Sequence, residues 1–421
     1  MLSQELWLVV IECLKLQYTV FKVPGSFKVL SSYVDVDVER RAEALTSMRN
    51  LCVVNRSFSE LIQPVLLDRI TLPDSNCLIG KTFEERITRL RILEECLTKT
   101  ETRLSWTKIV RFASTSDRPP PMNDPEMEDL VLGIIRRLQG VREFSFGGPC
   151  GKRHQREIER LSRLDSIESI NLTASILSHG PVDNWFDANR RIDEQGAKVS
   201  RARFFSSGRE PNRWLSSWML IPSLRVLHVP DKEMTNALLQ RVLESTNPIF
   251  TRLEEVEMDE PRPSQLQSFF SFANQCLTVK KLTFIVRTDQ RDAVNHQAWS
   301  SKVAHGVFPA LQKYTGHIEY AQYLIDKRPV SSLALLLRNP SPLNGMFLGQ
   351  AASSQTITSL LIGPLEWQEK SLSTIYDACP LLQNLNVGYI NVNNEQLVSG
   401  SLFRRAYSRS LDPPFPLSRY G

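Results

Sequence analysis

An apolar–x–x–apolar–x–apolar triplet recurs eight times between Val141 and Val387, and no other feature restricts the possible folds as strongly. The copies are Val141-Phe144-Phe146, Ile167-Ile170-Leu172, Leu224-Leu227-Val229, Leu253-Val256-Met258, Val279-Leu282-Phe284, Val330-Leu333-Leu335, Ile357-Leu360-Ile362 and Leu382-Leu385-Val387. Two weaker copies are Ile109-Phe112 and Leu311-Tyr314, the latter with Gly316 in third place. Central positions from Phe112 to Leu385 are separated by 32, 26, 57, 29, 26, 32, 19, 27 and 25 residues. A short strand with this pattern turns alternate side chains to one face and cannot bury that face alone. Amphipathic segments fill the intervals: Pro125–Gln139, Gln155–Leu164, Glu233–Glu244, Leu266–Cys276 and Glu369–Cys379, with a helix over Phe83–Leu97 ahead of the first strand. A strand and a helix in each interval predict parallel strands on one face and helices on the other, in an α/β stack.

Most of these intervals lie near the period of leucine-rich repeats, which the array over residues 73–400 resembles. Irregular steps and the missing Asn at the repeat corner mark it as degenerate. The 57-residue step predicts a polar insertion at about 175–222, in place of one repeat. Trp185, Phe186, Trp214 and Trp218 lie there among arginines. They read equally as anchors for a target protein or as pins holding the loop to the repeats. Residues 401–421, with Pro413, Pro414 and Pro416, lack the repeat spacing and are expected to form a flexible tail.

Ahead of the array, Leu2, Leu6, Val10, Ile11 and Leu14 share one helical stripe, with Ser3 placed to cap the first turn. A second helical stretch runs from about Ala42 to Leu67, carrying Leu45, Met48, Leu51, Val54, Phe58 and Leu61 at three- and four-residue steps; Pro64 is expected to interrupt it or restart it. The run from Leu2 to Leu14 resembles the opening of an F-box, whose pattern is LPxELLxxIFxxL. Leu51-Cys52-Val53-Val54-Asn55-Arg56-Ser57-Phe58 and Ile62-Gln63-Pro64-Val65-Leu66 resemble its second half, with Ile70-Thr71-Leu72 leading into the repeats, as in many fungal-type proteins. The resemblance implies an F-box-like module over residues 1–72 that docks on the Skp adaptor subunit and cullin scaffold of an SCF ubiquitin ligase. It also implies that Leu2, Leu6, Val10, Ile11 and Leu14 fill the adaptor's groove, with Leu51, Val54 and Phe58 behind them. This sequence departs from the family at Ser3, where the proline belongs, and at about 17–39, an insertion between two halves that nearly adjoin in the family. An amphipathic helix pair in this position also suits a cap on the first repeat.

The remaining features narrow the function classes. Hydrophobic residues make up 42% and charged residues 23%, enough apolar material for an extensive core. The 51 basic and 46 acidic side chains leave a net charge of +5, too small to indicate nucleic acid. Arg190–Arg213 carries +4 of it and reads as a solvated loop. Seven cysteines, none spaced as CxxC, point to free thiols in the cytoplasm or nucleus rather than to disulfides or zinc. Met1-Leu2-Ser3-Gln4-Glu5 does not read as a secretory leader, and Leu6–Ile11 is too short to span a membrane. Phosphate-cradle, nucleophile-elbow and HExxH patterns do not occur, so no catalytic residue, metal or cofactor is assigned. Glu255 and Glu257 are expected on a solvated strand face, not as an acid–base pair. The sequence therefore predicts a protein-binding adaptor rather than an enzyme, with partners limited to the ligase subunits and an unknown target protein.

Overall fold

The computed structural model describes residues 56–72, 83–98, 105–113, 125–149, 152–175, 198–206, 221–244, 250–285, 307–325, 328–341, 356–366, 371–391 and 396–403, with the single positions Ser47 and Asn50. The chain divides into two compact units, Met1–Ala202 and Arg203–Gly421. In each, the described strands follow chain order.

The first unit holds α1 (Arg56–Leu67), β1 (Arg69–Leu72), α2 (Phe83–Thr98), β2 (Ile109–Ala113), α3 (Pro125–Arg137), β3 (Glu143–Pro149), α4 (Lys152–Ser162) and β4 (Ser169–Ser175). The four strands pair in parallel, and the register stacks Ile70, Val110, Phe144 and Ile170 in one inward row. These four are buried, as are Ile87, Leu90 and Leu97 on one face of α2. Glu157 of α4 lies 2.7 Å from Arg136 of α3, and Arg137 of α3 lies 3.0 Å from Glu94 of α2, so ion pairs link the helices of successive repeats.

Three sequence expectations need adjusting here. The inward counterpart of Phe144 is Val110, not Phe112, which pairs with Phe146. Ile109-Phe112 contains the right strand read two residues out of phase, because Val110 and Phe112 lie on the same face of a strand whose side chains repeat every two residues. Pro64 lies inside α1 without ending it. It sits three residues from the helix end, so the missing amide removes one bond from a turn that terminates anyway. The segment read as a polar insertion at 175–222 contains strand β5 (Arg201–Ser206). Val199, Ala202 and Phe204 take the three motif positions and are buried. The small Ala202 between two arginines concealed this copy.

The second unit continues with β6 (Val226–Val229), α5 (Lys232–Glu244), β7 (Glu255–Asp259), a 3-10 turn (Pro263–Gln265), α6 (Leu266–Gln275), β8 (Lys281–Ile285) and β9 (Lys313–His317). It ends with α7 (Ile318–Leu324), β10 (Ser332–Ser341), β11 (Ser359–Glu366), α8 (Ser371–Ala378), β12 (Asn384–Asn391) and β13 (Gln396–Phe403). From β6 to β12 all pairs are parallel, and Leu227, Val256, Leu282, Tyr314, Leu333, Leu360 and Leu385 form one row. None of the seven is more than 3% exposed. The seven-residue α7 accounts for the 19-residue step between Tyr314 and Leu333: one short helix is all the interval can hold. β13 pairs antiparallel with β12 and runs through Phe403, so the first residues of the expected tail are strand.

One backbone arrangement recurs at the starts of ten described strands. The carbonyl of the residue before a strand accepts two successive amides from the next repeat. Asp68, Lys108, Arg142 and Glu168 do so in the first unit, and Arg225, Glu254, Lys280, Gln312, Ser331 and Thr358 in the second, at 2.7–3.2 Å. Hydroxyls reinforce it: Ser166, Thr278 and Thr356 donate to the carbonyls of Val141, Leu253 and Val330. Such bonds satisfy peptide groups that a buried corner must pair. A turn precedes β6, β8, β9 and β12, in which Leu224, Val279, Leu311 and Leu382 amides bond the carbonyls of Ile221, Cys276, Phe308 and Cys379. The motif therefore has an additional buried position three residues upstream. Parallel pairing and repeated helices in each unit are consistent with a leucine-rich-repeat-like solenoid.

Aromatic rings fill the centre of the second unit. Phe269 of α6 meets Phe270, Phe284 and Phe308 with centroids 5.7–6.0 Å apart, and Phe284 meets Tyr314 and Tyr320 edge-on. Gly316 occupies the inward position taken by Leu335 on the next strand. A Cβ there would lie 2.5 Å from the Tyr314 hydroxyl, so the tyrosine ring fills the space a side chain takes elsewhere.

Candidate functional site

Alternation along a strand forces every second side chain away from the core. On β5 to β8 of the second unit, those outward positions carry Arg203, His228, Glu255, Glu257 and Lys281. The register sets Glu255 between Val226 and Lys281, and Glu257 beside His228. Lys281 Nζ lies 2.6 Å from Glu255, and His228 Nε2 lies 3.4 Å from the same carboxylate. His228 Nδ1 is 3.8 Å from Glu257, which also faces Arg203 at 3.7 Å. Arg203 stacks over the Phe205 ring, 4.7 Å from its centroid. His228 thus stands between two carboxylates that repel each other, and a cation closes each end of the row.

The environment tunes this row. His228 beside it, with Lys281, holds the Glu255 carboxyl down at about 2 from an ordinary 4.5, against the opposing pull of partial burial. Glu257 keeps only 15% of its side chain exposed. The two glutamates are therefore members of a paired network, not the freely solvated face expected from alternation alone. Each partly exposed pair contributes only about 0.2–1 kcal/mol to folding. Their larger effect is to hold donors and acceptors in fixed positions, which suits recognition of another polar surface.

Next to this row, at the starts of β6, β7 and β8, a groove of about 420 Å³ is lined by Arg225, Arg252, Glu254, Leu277, Thr278 and Lys280, among others. Glu254 faces Arg225 at 4.0 Å and Lys280 at 3.3 Å. Leu277 is 58% exposed.

A second polar cluster lies at the other ends of the strands and is fully buried. His317 Nδ1 is 2.9 Å from Glu260, each side chain 1% exposed. The Tyr314 hydroxyl donates to the His317 carbonyl and the Tyr320 hydroxyl to that of Pro261. Thr235 donates to the Val229 carbonyl and accepts the Asp259 amide, joining the ends of β6 and β7. Burial, with the Glu260 charge adding to it, raises the Tyr314 hydroxyl well above its ordinary value. Among the described residues, no group of three or more His, Cys, Asp or Glu side chains could hold a metal ion. Among them also, no helix is long and apolar enough to cross a membrane. Cys276 and Cys379 are buried free thiols, both raised by desolvation, the second to about 11.

Of the residues expected to bind the Skp adaptor, Leu2, Leu6, Val10, Ile11, Leu14, Leu51 and Val54 lie outside the described residues, and Phe58 falls on α1. Trp185, Phe186, Trp214 and Trp218 also lie outside them. The outward placement of Glu255 and Glu257 was legible in the sequence, but their pairing was not. Arg203 and His228 needed the register: Arg203 because its strand was hidden, His228 because a lone histidine between apolar residues carries no partner information. No protein-family model matches the sequence, and no curated protein matches it.

Proposed function

We propose that this chain is a substrate-recognition adaptor of an SCF-type cullin–RING ubiquitin ligase. Its N-terminal box binds the Skp adaptor, and its repeats hold a target protein. The observation that supports target binding is the row of Arg203, His228, Glu255, Glu257 and Lys281, fixed by a parallel ladder whose other face is core. A rigid, pre-paired polar surface loses little side-chain entropy when a partner covers it. The ligase connection rests on the F-box resemblance of residues Leu2–Leu14 and Leu51–Leu66. An adaptor of this kind breaks no bonds; it raises the local concentration of target lysines near the ubiquitin-carrying enzyme.

The test is capture of purified Skp adaptor by the full chain. Wild type is expected to retain the adaptor, and Leu6→Asp combined with Ile11→Asp to lose it. Failure of wild type to capture it, or equal capture by the double variant, overturns the ligase reading and leaves a stand-alone repeat scaffold. Glu255→Lys with Lys281→Glu leaves adaptor capture unchanged, because the strand face is assigned to the target alone.

A further inference from the structure

We infer that the groove at the starts of β6, β7 and β8 binds an extended acidic segment of a partner protein, with an apolar side chain seated on Leu277. The groove presents three cations, Arg225, Arg252 and Lys280, against the single carboxylate of Glu254. Arg225 and Lys280 share that carboxylate at 4.0 and 3.3 Å, with about half or more of each cationic side chain in water. Pairs this exposed exchange partners at little cost, so incoming carboxylates can take over Arg225 and Lys280 while Arg252 supplies a third positive charge.

Leu277 supplies the second half of the argument. Its neighbours Cys276 and Val279 are completely buried, yet Leu277 points outward and is 58% exposed. Covering such apolar surface is favourable, so an apolar side chain of a partner gains by resting on it. The groove crosses three successive strand starts, and strands lie about 4.8 Å apart. That span of roughly 10 Å matches about three residues of extended chain. A segment that alternates acidic and apolar residues therefore meets both the cations and the leucine. A polyphosphate backbone gains nothing from Leu277, which is 58% exposed, so a peptide fits better than nucleic acid. The inference deepens the target-binding reading and rests on it.

The experiment measures fluorescence anisotropy of a short labelled peptide alternating glutamate and leucine, titrated with the full chain. A glutamine–leucine peptide and a single-stranded oligonucleotide serve as comparisons. Arg252→Glu with Lys280→Glu is expected to weaken the glutamate peptide about tenfold or more, and Glu254→Gln to tighten it. Leu277→Ser is expected to weaken it while leaving its salt dependence intact. Equal affinity for the glutamine peptide, unchanged affinity in the charge-reversed variant, or tighter binding of the oligonucleotide overturns the inference. Circular dichroism confirms that the variants fold. Skp-adaptor capture by the wild-type chain separates the two proposals: no preference of wild type for the glutamate peptide, with adaptor capture intact, sinks the groove alone.

Discussion

Two of the histidine–glutamate contacts among the described residues of the second unit, His317 with Glu260 and His228 with Glu255, have surroundings that differ in almost every respect. His317 and Glu260 meet at 2.9 Å with both side chains 1% exposed, at the end of β9 where the chain turns into α7. His228 and Glu255 meet at 3.4 Å on the strand face, each with about a quarter of its side chain in water and each with further charged neighbours. The same two side-chain types thus serve opposite ends. Inside, removal of one partner abandons a polar group where water cannot replace it, so the pair acts on stability and on the fit of β7 against β9. Outside, water and neighbouring ions replace a lost partner, so the pair acts on what the surface presents. The buried pair belongs to the scaffold and the exposed pair to the strand face proposed for recognition.

The largest expected effect tests the buried side of this contrast. His317→Ala removes the imidazole that lies 2.9 Å from the buried Glu260 carboxyl and is expected to cost about 3–5 kcal/mol, measured by urea unfolding. His228→Ala on the strand face is expected to cost less than about 1 kcal/mol. Similar losses for the two variants would erase the distinction between the pairs. Replacing Glu260 and His317 together by Gln and Leu recovers part of the loss, since neither ionisable side chain is then left buried without the other.

An intermediate effect sharpens the contrast, because the buried cluster also depends on steric room. Gly316→Ala puts a methyl group 2.5 Å from the Tyr314 hydroxyl and 3.0 Å from the ring carbon bearing it. Tyr314 is buried and donates to the His317 carbonyl, so its ring cannot step aside freely. The expected cost is about 1–3 kcal/mol. Tyr314→Phe removes the closest atom, so the double variant is expected to be more stable than the sum of the single losses predicts. Strict additivity would show that Tyr314 and Gly316 do not compete for one space.

The sequence disclosed the scaffold far better than the recognition surface, and particular residues show why. The inward rows were legible because each copy needs a large apolar side chain at a fixed offset: Leu227, Val256, Leu282 and Leu333 stand in register as their triplets required. Expected and observed helices agree within a few residues at Phe83–Thr98, Lys232–Glu244 and Leu266–Gln275. Where the physical rule was met by an unusual residue, the pattern broke. Ala202 is too small to register as an apolar centre, so β5 went unseen. Gly316 looked like a failed third position, although Tyr314 fills its place from two residues away. The upstream turn position was concealed because Ile221, Phe250, Cys276 and Cys379 share burial but not side-chain type. Pairings such as His317 with Glu260 join residues 57 apart in the chain across the intervening strand β8, and alternation within one strand carries no information about such partners.

The smallest effect concerns the exposed pair and follows from the direction of the Glu255 shift. Its carboxyl is held at about 2 in the folded chain against an ordinary 4.5, chiefly by His228 and then by Lys281. The unfolded chain therefore takes up this proton at a higher pH than the folded chain, so folding loses stability as the medium is acidified. Glu255's contribution is fully present above about 4.5 and is lost as pH falls through about 2. Because Glu255 and Lys281 are both partly exposed, solvent screening limits the contribution to about 0.5–1 kcal/mol. Urea midpoints of wild type and Glu255→Gln are expected to differ most above about pH 5 and to converge as acid is added, with His228→Ala narrowing the gap at every pH. A difference that stays constant through the acid range would mean that Glu255 gains nothing from its neighbours on folding. The strand face would then be a collection of independent solvated charges, and its claim to be a preformed recognition surface would fail with it.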